Sequence, residues 1–194
     1  AERKDQILQA ALRAAATEGL ESVSTRKVAA EAGLSHGLVF FHFRTRRALL
    51  VALLDWLLDE MATPAIGDEA PRLGSPLERL LVVLRREIAR VLADRQRVEL
   101  FFAFWVMGLH EPDVRQRIRR ALERYRAVFR PMAEELIASE PHRFAGTTAE
   151  SIAAIVVSVV EGCAVQAVIA PEDLDPDQYV ATATTLVSGL AAGH

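Results

Sequence analysis

Apolar residues recur at helical spacing almost from the start of the chain, and the residues that interrupt them are those that start and stop helices. Ile7, Ala10, Ala11 and Ala14 share one face of a first predicted helix from about Arg3 to Glu18, and Gly19 follows where a left-handed residue ends it. Ser24 is the predicted cap of a short second helix, with Val23 and Val28 as the apolar pair around that cap. The same grammar repeats at Ser35, between Leu34 and Val39, and Thr45 caps a fourth helix running to about Ala62, before Pro64. Three caps within 22 residues predict short helices in tight succession.

Residues 63–74, rich in Pro, Gly and Ala, read as a mobile loop. Ser75-Pro76-Leu77-Glu78 is a capping box with Pro in the first turn, opening a fifth helix to about Asp94. A sixth helix carries Val98 to Leu109, and a long seventh runs from near Pro112 to about Ser139. Thr147-Thr148-Ala149-Glu150 reads as another capping box before an apolar eighth helix that ends ahead of Pro171, and Asp175-Pro176 opens a ninth, stapled by Leu174 and Tyr179. Strand signals are nearly absent, so the expected fold class is all-α, about nine helices.

Composition narrows the class. The chain has 194 residues, 51% of them hydrophobic, enough for one substantial core or two modest ones. One cysteine, Cys163, excludes an internal disulfide framework and a multi-thiolate metal site and fits a reducing cytoplasm. The N-terminus enters an amphipathic pattern directly, without the apolar region of a signal peptide, and the missing initiator methionine points to a few further residues upstream, of a kind that would often be basic. The segment from Ile152 to Ala170 raises a membrane question, but Glu161 and Gln166 interrupt it and Glu150 and Glu172 flank it, so a buried or dimer-forming helix is the favoured reading. The net charge of −3 is uneven, because residues 1–47 carry eight Lys or Arg against five Asp or Glu. The expected division is therefore a small module at 1–47 that meets a polyanion and a larger domain at 48–194 with a different task.

A helix-turn-helix needs a small residue where its helices cross, a turn residue that tolerates positive φ, and apolar residues that fix the second helix. Ala29, Gly33 and the set Val28, Ala32, Leu34 and Val39 meet each requirement within residues 25–44. The run Ser24-Thr25-Arg26-Lys27-Val28-Ala29-Ala30-Glu31-Ala32-Gly33-Leu34-Ser35-His36-Gly37-Leu38-Val39-Phe40-Phe41-His42-Phe43, followed by Arg46 and Ala48-Leu49-Leu50, resembles the signature of the tetracycline-repressor (TetR) family of transcriptional regulators. The resemblance covers about residues 5–54 and implies a repressor that binds double-stranded operator DNA as a homodimer and is released by a small-molecule effector. It makes 1–47 the DNA-binding domain and 48–194 the ligand-binding and dimerisation domain. Carried over, it implies that Thr25, His42 and Arg46 meet phosphates, and that Arg26, Lys27, His36, Gly37, Leu38 and Phe41 lie on the DNA surface. Phe40 stands where the family commonly has Tyr, and without the hydroxyl it is expected to pack between helices. Apart from the resemblance, Arg26 and Lys27 also fit an ordinary solvated face, and His42 also fits a core histidine. Arg13 and Arg47 are expected to be solvated.

Phe101-Phe102-Ala103-Phe104-Trp105 places more aromatic surface on one helix than one face can hide. Phe101, Phe104, Trp105, Tyr125 and Phe129, with Trp56 on the fourth helix, are the candidate effector contacts, and a plain core stripe is the competing reading. Leu100 to Trp105 and Val160-Glu161-Gly162-Cys163 resemble, more loosely, the choline-responsive repressors of betaine synthesis. Glu161 beside aromatics would suit a cationic ligand, and equally a pairing with Arg across a dimer or a polar cavity. The expected dimer face is Ile152, Ile155, Val156, Val159 and Val160 on the eighth helix with Val180, Ala183, Leu186, Val187 and Leu190 on the ninth. The arginines from 115 to 130 share their helix with Glu and Asp and read as a solvated face. The histidines lack metal-ligand spacing, and there is no phosphate loop or nucleophile elbow, so no cofactor, metal or catalytic site is expected. A helical ligand carrier and a helical enzyme with an unrecognised site are the rival classes, and both leave the helix-turn-helix unexplained.

Overall fold

The computed structural model describes residues 2–62 and 74–189, with side chains to residue 186. Among these residues there are nine α-helices and no strand: α1 (Glu2–Glu18), α2 (Thr25–Ala32), α3 (His36–His42), α4 (Arg46–Ala62), α5 (Pro76–Ala93), α6 (Arg95–His110), α7 (Pro112–Ser139), α8 (Ala149–Ile169) and α9 (Pro176–Gly189). The loop expected at 63–74 lies outside the described residues but for Gly74.

The chain divides into two compact units, the first Ala1–Ala62 with Gln96–Ala121 and the second Thr63–Arg95 with Leu122–His194. Compactness thus groups α4, most of α6 and the start of α7 with the first three helices. The functional division at residue 47 is a separate matter.

In the first unit each expected cap forms. The Ser24 hydroxyl accepts from the Lys27 amide at 3.2 Å, Ser35 from Leu38 at 3.2 Å and Thr45 from Ala48 at 3.0 Å. Each satisfies an amide that the helix start leaves without a partner. Gly19 and Gly33 take φ of 82° and 65°, the left-handed values their turns require. Val23, Val28 and Val39 are fully buried and Ala29 nearly so, which fixes α2 and α3 against α1, whereas Ala32 and Leu34 are only half-buried. A 3-10 turn at Leu20–Ser22, which no pattern announced, joins α1 to α2.

The second unit is built on α5, α8 and α9, with the later part of α7 contributing Tyr125, Phe129 and Leu136 to its core. Ser75 and Glu78 form the expected capping box, with the Ser75 amide donating to Glu78 Oε2 at 2.7 Å. The eighth helix starts one residue later than its sequence box suggested. Thr148 is the cap and Ser151 its partner, while Glu150 accepts from Arg130 at 2.9 Å. Helix α8 is long and apolar enough to cross a membrane by length and composition, but Ala153, Val156, Val157, Val160, Cys163 and Ala164 are buried within the unit.

One charge is fully buried. Glu87 on α5 has no exposed surface, and its Oε2 accepts from Tyr125 Oη at 2.7 Å and from Arg90 Nη2 at 2.7 Å. The carboxylate and burial together push the Tyr125 hydroxyl well above its ordinary range and keep it a donor. A buried carboxylate is tolerated because it is paired and hydrogen-bonded, and removing a donor exposes its desolvation cost. Tyr125→Phe is therefore expected to lower unfolding free energy by about 1–2 kcal/mol and Glu87→Leu, which removes the acceptor that Tyr125 and Arg90 share, by about 3 kcal/mol. Urea titration checks both, and a Tyr125→Phe protein as stable as the parent would remove the network from the account.

Candidate nucleic-acid interface and effector residues

The α2–α3 surface is the part of the first unit where polar and aromatic side chains stand outward. Arg26 is exposed and has no partner among the described residues. His36, the first residue of α3, meets Thr25 Oγ1 through Nε2 at 3.1 Å, so the two predicted contact residues orient each other. Phe41 is 76% exposed, far beyond what packing within the chain would leave. His42 is also exposed and stacks edge-on with Phe41 at 5.5 Å, so it is not a core histidine. Leu38 is half-buried. Gly37 is exposed, and a Cβ added there meets nothing within 4 Å, so the protein itself makes no demand for glycine at this position.

Several residues differ from their sequence expectation. Phe40 does not pack between helices: it is 49% exposed, 6.0 Å from the His36 ring, because Val39 and Phe43 take the inward positions of so short a helix. Lys27 is held by Glu18 and is not a free cation. Arg46 turns to its own fold, Nε donating to the Val23 carbonyl at 2.8 Å and Nη2 to the Leu20 carbonyl at 2.7 Å. Arg44, which the sequence reading passed over, is exposed and unpaired where α3 gives way to α4. A lone Arg after a short helix carries no pattern, and only the geometry singles it out. Arg13 and Arg47 are paired rather than simply solvated, Arg13 with Glu31 at 2.9 Å and Arg47 with Glu111 and Asp113 at 2.8 and 2.7 Å.

The candidate effector residues fall into both units. In the first, Phe101 and Phe104 are buried, Trp105 meets Phe101 edge-on at 5.6 Å, and Arg97 lies over the Trp56 ring at 5.1 Å. In the second, Tyr125 and Phe129 pack edge-on at 5.3 Å inside the core. Glu161 is half-buried on α8, and burial raises its carboxyl above its ordinary value of 4.5 against the opposing pull of Arg126. Of the α7 arginines, Arg115, Arg119, Arg120 and Arg124 are exposed, as a solvated face requires, while Arg117 also reaches Asp55 at 2.6 Å and Arg115 donates to the Gly108 carbonyl at 2.9 Å.

The dimer residues expected from sequence divide in two. Val156, Val160 and Val180 are buried within their own unit. Of the others, Ile155 and Leu186 are exposed at 61 and 62% and Ile152, Val159 and Ala183 are half-buried, while Val165 and Ile169, which the sequence reading did not include, are exposed at 43 and 78% on one stripe of α8 with Ile155 and the small residues Ser158 and Gly162. Val187 and Leu190 lie outside the residues whose side chains are described.

Comparison with known proteins agrees with this architecture. A family model described as "Bacterial regulatory proteins, tetR family" matches residues 7–53, and one described as "BetI-type transcriptional repressor, C-terminal" matches residues 76–192. The chain belongs to the TetR family of bacterial transcriptional regulators, with a C-terminal part of the BetI type. It is similar to the HTH-type transcriptional regulator BetI 1 of Chromohalobacter salexigens, 23% identical over 176 residues that cover 91% of this chain and 84% of that protein. Its fold is similar to that of a transcriptional regulator from Pseudomonas aeruginosa PAO1, with a TM-score of 0.84 at 24% identity over 99% of this chain and 91% of that one. A regulator from Saccharomonospora viridis, solved in complex with choline, matches with a TM-score of 0.75 at 17% identity over 96% of each chain. The family is one of DNA-binding regulators and not of enzymes.

The raised Glu161 carboxyl gives a prediction with a definite sign. A folded-state value above 4.5 means that ionisation costs stability, a cost absent below pH 4.5 and complete once the pH passes the folded value. Glu161→Gln is expected to melt higher than the parent at pH 7.5, with the gap closing at pH 4. A parent that melts higher than the variant at pH 7.5 would show Glu161 to be favourably paired instead.

Proposed function

We propose that the chain is a homodimeric repressor that presents α3 of each subunit to one half of a pseudo-palindromic operator, and that a small molecule releases it. The supporting observation is the outward, exposed set on α2 and α3: Arg26, His36, Phe41 and His42, with Gly37 at a helix start where backbone can approach a base edge closely. Thr25 orients His36, Leu38 offers an apolar edge, and Lys27 adds positive charge beside them. Arg44 is the better phosphate contact of the two arginines, and Arg46 positions the module.

The second subunit is expected on the stripe Ile155, Val165 and Ile169 with Leu186, where Ser158 and Gly162 permit close approach of helices. The BetI-type match and the desolvated Glu161 favour an effector with a cationic group for the second unit, since a cation would stabilise the ionised carboxylate. Trp56, Phe101, Phe104 and Trp105 in the first unit, and Tyr125 and Phe129 in the second, remain candidate contacts. Release requires only that the effector prefer the arrangement that cannot hold DNA. Helix α4 is the natural lever, because its first turn carries Arg46 and a later turn Trp56. The place of action is the cytoplasm, where the DNA is.

Gly37→Ala separates DNA contact from folding. It is expected to leave thermal stability unchanged or raised by up to about 1 kcal/mol, as for other helical Gly positions, yet to weaken operator binding at least tenfold. Normal operator affinity in a folded Gly37→Ala or Arg26→Ala/His36→Ala/Phe41→Ala protein would remove α3 from the interface. Ile155→Asp is expected to sediment as a monomer at micromolar concentration, whereas an unchanged dimer would move the interface elsewhere.

A further inference from the structure

The first unit holds a cleft of about 130 Å³ that shares only Arg46 and Phe104 with the roles above. Its floor is apolar: Leu50, Leu54, Phe104 and Val114 are buried, and Val51 and Met107 form half-buried sides. Its rim is polar, with Arg46 and Arg47 from the first turn of α4, Glu21 from the 3-10 turn and Glu111 from the corner between α6 and α7. That corner is a fixed wall. A Cβ at Gly108 would come within 3.3 Å of Ile118, and Arg115 binds the Gly108 and Leu109 carbonyls at 2.9 and 2.7 Å. The opposite wall is held to it by Arg47, bridged to Glu111 and Asp113.

Both signs of hydrogen-bonding capacity are left over at this rim. Arg46 uses Nε and Nη2 on carbonyls, leaving Nη1 without a partner among the described residues, and the amides of Arg46 and Arg47 begin α4 without an acceptor among them, at the positive end of a helix dipole. Glu111 uses only Oε2, and Glu21 reaches Arg46 only at 3.4 Å with its side chain 93% exposed. A simple carboxylate would engage the donors but face Glu21, Glu111 and Asp113, and a simple amine would engage the acids but face two guanidinium groups and the helix start. A molecule carrying both charges on an apolar body answers both. We infer that this cleft binds a small zwitterion with an apolar side chain, of which an α-amino acid such as leucine is the simplest, its carboxylate toward Arg46 and the start of α4 and its ammonium toward Glu111 and Glu21.

The cleft is separate from Glu161 and the other second-unit candidates. An occupant draws on the same Arg46 guanidinium that holds the Val23 and Leu20 carbonyls, so its binding is coupled to the placement of α2 and α3. Only this last consequence rests on the proposed repressor function; occupancy itself does not.

The test is titration of the full chain with L-leucine, isovalerate and isoamylamine, read by calorimetry and by methyl NMR at Leu50, Val51 and Met107. Leucine is expected to bind saturably below 10 mM and to shift those three methyl sets, with each single-charge analogue at least tenfold weaker. Val51→Phe, which fills the cleft, is expected to lose the leucine response. Absence of saturable binding by leucine and by phenylalanine, equal binding of either analogue, or shifts confined to other methyl groups would each overturn the inference. A folded Val51→Phe protein that still binds leucine normally would also overturn it, and if that variant does not fold, the shift map of the parent decides. Operator affinity with and without leucine is a separate reading, so loss of DNA binding alone leaves the occupancy result standing.

Discussion

One guanidinium ties the helix that follows the helix-turn-helix back onto it. Arg46 sits in the first turn of α4, and two of its donors close on the Val23 and Leu20 carbonyls, in the short 3-10 segment between α1 and α2. Charge-assisted hydrogen bonds of this kind contribute about 1–2 kcal/mol when partly exposed, as this side chain is. Their position matters more than their strength. Val23 is fully buried beside the Ser24 cap, so whatever moves Arg46 moves the start of α2, and with it the crossing at Ala29 that aims α3. The neighbouring residue, Arg47, is bound just as firmly to the corner of α6 and α7. Two consecutive arginines thus connect the segment before α2 and the α6–α7 corner through one turn of α4.

The second unit meets a different constraint, because α8 is apolar on nearly every side. One set of its residues, Val156, Val157, Val160 and Cys163, fills the core against α5 and α9. The stripe through Ile155, Val165 and Ile169 is left exposed, and it is the face on which the proposed second subunit would pack. Within the second unit Glu87 is made tolerable by Tyr125 and Arg90, while burial of Glu161 is opposed by the charge of Arg126. The proposed effector is assigned to the half-buried Glu161 for that reason.

Legibility in the sequence followed the range of the interactions. Caps at Ser24, Ser35, Thr45 and Ser75 are contacts across three residues, and each formed where the pattern placed it. At Thr147-Thr148 two equivalent cap residues stand side by side, and the helix took the second. The short 3-10 turns carry too few residues for any period to show. Which face of α8 is inward cannot be read from a helix without a polar side, so Val156 and Val160 were expected at an interface and are found in the core. The same limit applies to Phe40 and Phe41, adjacent aromatics on a helix of seven residues that offers only Val39 to the interior. The partners of Arg46 and Arg47 lie more than twenty residues away in sequence, beyond the reach of local pattern.

The account turns on Arg46 acting within the protein while Arg44 meets DNA, and salt dependence separates these roles. The measurement is operator affinity of the parent, Arg44→Ala and Arg46→Ala proteins as a function of salt, alongside their melting temperatures. A lost phosphate contact lowers the slope of log affinity against log salt by about one unit per subunit. The predicted result is a reduced slope with unchanged melting for Arg44→Ala, and a parental slope with lowered melting and weakened affinity for Arg46→Ala. A reduced slope with unchanged melting for Arg46→Ala, with Arg44→Ala behaving as the parent, would contradict it.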